Sequence, residues 1–261
     1  MSRATQSELL EQRIAENASS QQVDLATWIF DRVRVQPGDQ VLELCCGTGG
    51  QTLAMLDRVG ERGHVTALDI SRSALDTLAA KAGPKGRRLT CLEASLETFP
   101  SALSEVDGPR SGFDLVFCAY GLYYSSEAAR TLDDARMLLS PGGRIVVVGP
   151  FGPNNKPLFD LVRASGVAIA APVISSSETF MLRTVVEWGS RNCECLSVHT
   201  LMNPVRWTTQ DRVMNYWQNT TFYDAEKRGN FEMLLQEHFA THSVFVNEKW
   251  VMLVEMSHVR S

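Results

Sequence analysis

Two acidic residues and a glycine turn are spaced as a small-ligand site would need them. Glu43 leads into Leu44-Cys45-Cys46-Gly47-Thr48-Gly49, and Asp69 follows further along the chain. Gly47 and Gly49 carry no side chains, so the backbone there can approach a ligand closely, and the N-terminus of a following helix favours an anion. An acid about twenty residues beyond such a turn suits the diol of a ribose. A carboxylate or a pyrophosphate would fill the anion position, so these residues leave two ligand classes open. The dinucleotide fingerprint is G-x-G-x-x-G, and the frame Gly47-Thr48-Gly49-Gly50-Gln51-Thr52 puts Thr52 where its third glycine belongs.

Other reactive side chains carry weaker signals. Tyr123 and Tyr124 close the run Cys118-Ala119-Tyr120-Gly121-Leu122-Tyr123-Tyr124. Either would orient a substrate or act as a weak base, and either serves equally as packing. His199 is the best placed of five histidines, with a structural or surface role as the competing reading. Cys193-Glu194-Cys195 resembles a metal pair, but without a second pair or nearby histidines it reads as two ordinary thiols, and no metal site is expected.

The elements around these residues follow from periodicity. Residues 41–45 form a short apolar run entering the glycine turn, with a helix expected over 51–59. Further strands are expected over 64–69, 89–93, 113–118 and 144–148. Ser71 caps a helix in which Leu75, Leu78, Ala79 and Ala82 share one face, and another helix over 126–139 is stopped by Ser140-Pro141-Gly142-Gly143. Amphipathic helices over 8–18 and 23–33 precede the first strand. Strands alternating with helices at these lengths specify a parallel sheet covered on both faces and wound by right-handed crossovers.

After Pro150 the alternation lapses for about ninety residues, longer than an ordinary loop. Helices are expected there over 157–170, 209–219 and 224–239, with a strand over 196–202. Strands over 242–246 and 249–256, separated only by Asn247-Glu248, read as an antiparallel hairpin. The expected fold is therefore α/β: a doubly wound, Rossmann-like, mostly parallel seven-stranded sheet ending in an antiparallel hairpin. A helical, aromatic-rich cap is inserted between strands five and six. Its divisions are 1–150 for the N-terminal helices and core, 151–241 for the cap, and 242–261 for the hairpin. The aromatic residues of the cap would suit a flat or greasy molecule, or simply form the cap's own core. The first helix is a candidate lid.

Composition narrows the function further. A hydrophobic fraction of 44% and a charged fraction of 21% are ordinary for a globular chain. A net charge of −5 gives no footprint for nucleic acid. No apolar run is long enough to cross a bilayer, the N-terminus has no secretory h-region, and three of the six cysteines lie in apolar strand-like stretches that suit buried thiols in a reducing cytoplasm. A small-molecule substrate, with neither nucleic acid nor membrane insertion, is the expectation. The oligomeric state is not specified.

With Asp69, the Ser-Pro-Gly-Gly stop and the closing hairpin, the Glu43–Gly49 turn resembles the first motif of class I S-adenosylmethionine-dependent methyltransferases. The resemblance covers roughly residues 23–150 and the hairpin. Cys45 stands where that family usually has its first glycine, and Cys-Cys-Gly-Thr-Gly is similar to the variant of quinone-biosynthetic methyltransferases. The resemblance implies transfer of a methyl from S-adenosylmethionine to an oxygen, nitrogen or carbon of a small aromatic or hydrophobic molecule, releasing S-adenosylhomocysteine. It assigns Glu43 to the methionine ammonium, and Cys45, Cys46, Gly47, Thr48 and Gly49 to the cofactor's backbone lining. Asp69 is assigned to the ribose hydroxyls, Ile70 to the adenine face, and Ser95 and Leu96 to the adenine edge. Cys118, Ala119 and Tyr120 would stand near the sulfonium. A nucleotide-dependent oxidoreductase and a non-catalytic S-adenosylmethionine-binding protein are the rival readings.

Overall fold

The computed structural model describes residues 7–106, 108, 109 and 111–259. They form two compact units, one of residues 26–149, 181–199 and 252–259, the other of residues 7–25, 150–180 and 200–251.

The first of these units holds the sheet. Its strands are β1 (Gln40–Leu44), β2 (His64–Asp69), β3 (Leu89–Glu93), β4 (Phe113–Ala119), β5 (Leu139–Pro150), β6 (Cys193–Trp207) and β7 (Phe245–Val259), the last two running on into the other unit. Their order is β3-β2-β1-β4-β5-β7-β6, and the pairs β3–β2, β2–β1, β1–β4 and β4–β5 are parallel. Val41, Leu42, Leu44, Leu115, Val116 and Phe117 are buried, which is why these strands read as continuous apolar runs. Helix α3 (Gly50–Val59) buries Thr52, Met55, Leu56 and Val59, and α4 (Arg72–Ala82) buries Ala74, Leu75, Leu78 and Ala82. Ser71 caps α4, its side chain accepting from the Ala74 N–H. The register aligns Leu44 with Leu68 and with Cys118, so β1, β2 and β4 end side by side at one edge.

The doubly wound sheet matches the expectation, and the closing hairpin needs correcting. Residues 242–246 and 249–256 do not turn back on one another; β7 is one strand through Asn247-Glu248, lying between β5 and β6. The polar pair is held extended by the segment after β5. Asn247 Nδ2 donates to Asn155 Oδ1 at 2.9 Å, the Asn155 N–H donates to the Glu248 carbonyl, and the Trp250 N–H donates to Asn154 Oδ1. The Phe151 N–H reaches the Trp250 carbonyl and Asn155 reaches Glu248, an antiparallel sense. The partner of β7 is β6, which sits within the stretch read as a cap; the unit boundaries accordingly differ from a division at 150 and 241.

In the second unit, α7 (Lys156–Ala164), α10 (Gln210–Gln218) and α11 (Arg228–Thr241) pack with β6 residues around Trp207, Tyr216, Trp217 and Phe231. Phe222 and Tyr223 pack against this cluster and Phe159 meets Phe222 edge-on, so most of the aromatic supply is core material. Helix α1 (Ser7–Ala18) is fastened within the same unit. Glu16 pairs with Arg212 at 2.7 Å, Gln21 bridges Val205, and the Asn203 side chain bonds both backbone groups of Val23. Among the described residues no helix is long and apolar enough to cross a membrane.

Candidate functional site

The glycine turn is shaped by its own residues. Cys45 has φ +59°, a conformation that side chains disfavour and that a glycine would take freely. Gly47 also has positive φ, and its N–H donates to Asp69 Oδ2 at 2.9 Å. The Ser71 N–H donates to Asp69 Oδ1 at 2.9 Å, so the acid at the tip of β2 ties the turn to the start of α4. Each oxygen of Asp69 keeps a lone pair for a further donor. Gly49 has φ +88°, and a Cβ there would lie 2.2 Å from Leu78 Cδ1. No side chain caps α3, which leaves amide donors of its first turn facing outward from the turn.

Glu43 is buried, 2% exposed, beneath this turn. Thr52 Oγ1 donates to its Oε2 at 2.5 Å, while Oε1 has no donor among the described residues. Burial pushes the Glu43 carboxyl up to about 8; the Thr52 bond opposes the shift and the charge of Asp69 adds to it. A cation brought to Oε1 would favour the carboxylate and so oppose the effect of burial. Thr52 is a side chain of this turn that sequence reasoning weighed only as an absent glycine, and the structure joins it to Glu43. The available signal was its position in the first turn of a helix that folds back over β1.

The end of β4 faces the same turn. Tyr120 has φ +56° and donates its N–H to the Val148 carbonyl at 2.8 Å. A Cβ on Gly121 would stand 2.2 Å from Cys45 Cβ and 3.4 Å from Cys118 Sγ, so only glycine permits β1 and β4 to end this close together. The Cys45 thiol is pushed up first by its hydrogen bond with Cys118 and then by burial, and burial likewise pushes up the Cys46 thiol. These cysteines line the turn as neutral thiols and are poor nucleophiles.

The remaining sequence-expected residues divide sharply. Ile70, next to Asp69, is 61% exposed, a large apolar side chain standing open at the rim. Leu96 is buried; Ser95 Oγ accepts from the Glu97 N–H at 3.2 Å and meets Thr98 Oγ1, which makes it a turn former. Tyr123 and Tyr124 follow β4 in a short 3₁₀ turn with ring centroids 4.7 Å apart, Tyr124 exposed. Glu97 Oε1 accepts from the Ser126 N–H and the Ser125 hydroxyl, linking the loops after β3 and β4. His199 is not brought to this edge. It is exposed on β6, the outermost strand, three places from β4 and so about 14 Å away across the sheet. Cys193 is buried and Cys195 exposed, and no cluster of metal-ligating side chains occurs among the described residues.

Known proteins align with this arrangement. Residues 41–143 match the methyltransferase domain family. Demethylmenaquinone methyltransferase of Listeria monocytogenes is 33% identical over 125 residues, 47% of this chain and 49% of that relative. The chain thus spans about half the length of the curated relatives it matches. Among solved structures, the YcgJ protein of Bacillus subtilis superposes with a TM-score of 0.58 at 14% identity, covering 90% of this chain and 98% of that one. Geranyl diphosphate C-methyltransferase of Streptomyces coelicolor, solved with S-adenosyl-L-homocysteine, gives a TM-score of 0.50 at 15% identity, covering 90% of this chain and 75% of that one. At such identities the superpositions speak to the fold.

Proposed function

We propose that the protein is a class I methyltransferase that moves the methyl of S-adenosylmethionine to a small hydrophobic acceptor, a reading supported by the match of residues 41–143 to the methyltransferase domain family. The observation that carries the reading is Glu43: a buried carboxyl with one oxygen engaged by Thr52 and the other open, at the edge where Asp69 also ends. A buried acid held this way is matched by an ammonium group, and the uncapped start of α3 by a carboxylate; an amino acid moiety carries both. Asp69 would take the two ribose hydroxyls on its remaining lone pairs, and an adenine over Ile70 would cover an otherwise exposed apolar side chain. Thr52, turned inward to Glu43, supports this reading over a dinucleotide, for which a glycine is needed at that point.

When bound, S-adenosylmethionine supplies an already activated methyl on a sulfonium. What is asked of the chain is therefore positioning and exclusion of water. Tyr123 and Tyr124 would orient the acceptor at the end of β4, where the Cys45 thiol, pushed up by its hydrogen bond with Cys118 and by burial, is a poor competing nucleophile. The transfer would be to an oxygen, nitrogen or carbon of the acceptor. The aligned demethylmenaquinone methyltransferase makes demethylated quinones the first acceptors to try.

Titration calorimetry with S-adenosylhomocysteine tests the donor site. One-to-one binding is expected, weakened about tenfold or more by Glu43→Gln or Asp69→Asn, as for the loss of a hydrogen bond to a charged group. Absence of binding would refute the proposal. Turnover of S-adenosylmethionine with demethylmenaquinone, followed by release of S-adenosylhomocysteine, then separates an enzyme from a mere binding protein.

A further inference from the structure

A second concavity lies at the opposite edge of the sheet, about 380 Å³ in volume and lined by Arg32, Arg34, Gln36, Arg144 and Glu255. Its place follows from the register. Arg144 aligns with Leu115, and Leu115 with Val41, a row near the amino ends of β4 and β1; Gln36 lies just before β1. The glycine turn is at the carboxyl end of β1, about 16 Å away along a strand of this length. Three guanidinium groups to one carboxylate is an unusual local balance in a chain of net charge −5. Like charges gathered this closely repel one another unless an anion joins them.

We propose that this cavity is a binding site for a small molecule bearing adjacent phosphates, separate from the donor site. Two of the guanidinium groups are held in place by the fold. Arg32 Nη1 donates to the Trp28 carbonyl at 2.8 Å while its guanidinium lies 4.5 Å from the centre of the Trp28 ring. Arg144 donates through Nη2 to the Arg34 carbonyl, and its Nε faces Glu255 at 3.8 Å. Each keeps N–H donors unused, and holding them in advance lowers the entropy lost on binding. The Arg34 guanidinium has no partner among the described residues. Planar forks of this kind match phosphate oxygens in pairs, and two adjacent phosphates present enough oxygens for three of them. Glu255 leaves a formal surplus of two positive charges and orients Arg144 by facing its Nε.

Titration calorimetry with inorganic pyrophosphate on the full chain tests this, in the presence and absence of saturating S-adenosylhomocysteine. Saturable one-to-one binding is expected, weakened as salt rises, about tenfold weaker in Arg34→Gln and lost in Arg32→Gln/Arg34→Gln. Circular dichroism of Arg34→Gln should match that of the unaltered chain, because the Arg34 side chain has no bonding partner among the described residues, so the tenfold loss in this variant tests the site by itself. Inorganic phosphate should bind more weakly than pyrophosphate. No saturable binding, binding undiminished in the double variant, or displacement by S-adenosylhomocysteine would each overturn the proposal. The first two outcomes leave the methyl-transfer reading untouched, and failure of S-adenosylhomocysteine to bind leaves this one standing.

Discussion

Thr52 Oγ1 sits 2.5 Å from Glu43 Oε2, a bond that runs from the first turn of α3 back into β1, with both side chains buried. It fixes the rotamer of an acid that has no other donor among the described residues. Thr52→Val keeps the shape and removes the hydroxyl, so the carboxyl is left buried without its donor. We expect a loss of about 1–3 kcal/mol in denaturant unfolding. Thr52→Ser should restore most of it. A variant as stable as the parent would show that the bond does not anchor the acid.

The Glu43 carboxyl is raised in the folded state, from 4.5 to about 8, chiefly by burial. Between those values the unfolded chain gives up the proton and the folded chain keeps it. Stability therefore falls as pH rises through this window, and the penalty is absent below 4.5. The slope should approach about 1.4 kcal/mol per pH unit from this group alone. Glu43→Gln should remove that component, and unfolding midpoints measured from pH 5 to 8 would read the difference. If Glu43 holds an ammonium, the bound cation lowers its pKa and binding near pH 7 releases a proton. The calorimetric enthalpy should then vary with the ionisation enthalpy of the buffer, and a buffer-independent enthalpy would remove Glu43 from that role.

The parallel half of the sheet was legible because strands buried on both faces have to be apolar throughout, as Val41, Leu42, Leu115 and Val116 are. The glycine turn was legible because its backbone demands small residues, with Cys45 the one exception that the fold holds at positive φ. What failed was polar residues whose partners are remote in sequence. Asn247-Glu248 has the composition of a hairpin turn, but Asn155, 92 residues away, holds Asn247 inside a strand. Thr52 looked like a missing glycine until α3 folded over β1, and Asp69 gave no sign that it also secures Gly47. His199 falls in the strand expected over 196–202, an expectation that says nothing about whether the strand lies at the sheet's edge.

Gly49 carries two constraints that can be separated. Its φ of +88° disfavours any side chain, and an added Cβ would strike Leu78, which is fully buried and cannot swing aside. Gly49→Ala should destabilise the chain by about 2–4 kcal/mol from backbone strain and overpacking together. Adding Leu78→Ala makes room for the methyl group and leaves the strain. The double variant should therefore be more stable than the sum of the single losses, by about 1 kcal/mol or more in a double-mutant cycle. Strict additivity would show that the packing contact is not felt.

In the other unit, Lys249 Nζ lies 2.5 Å from Tyr216 Oη and 2.6 Å from Asn155 Oδ1, a cation set against the buried Tyr216 ring. Burial pulls the Lys249 ammonium down, and the neighbouring phenol opposes that pull. Removing one partner leaves the other inside with less than it needs. Tyr216→Phe should cost about 3 kcal/mol, whereas Tyr216→Phe/Lys249→Met replaces both with apolar groups of similar volume and should regain most of that loss. The measurement is a denaturation cycle of the four proteins. A double variant no more stable than Tyr216→Phe would mean that the loss comes from ring packing against Trp207, and that the lysine is not strained by losing its phenol.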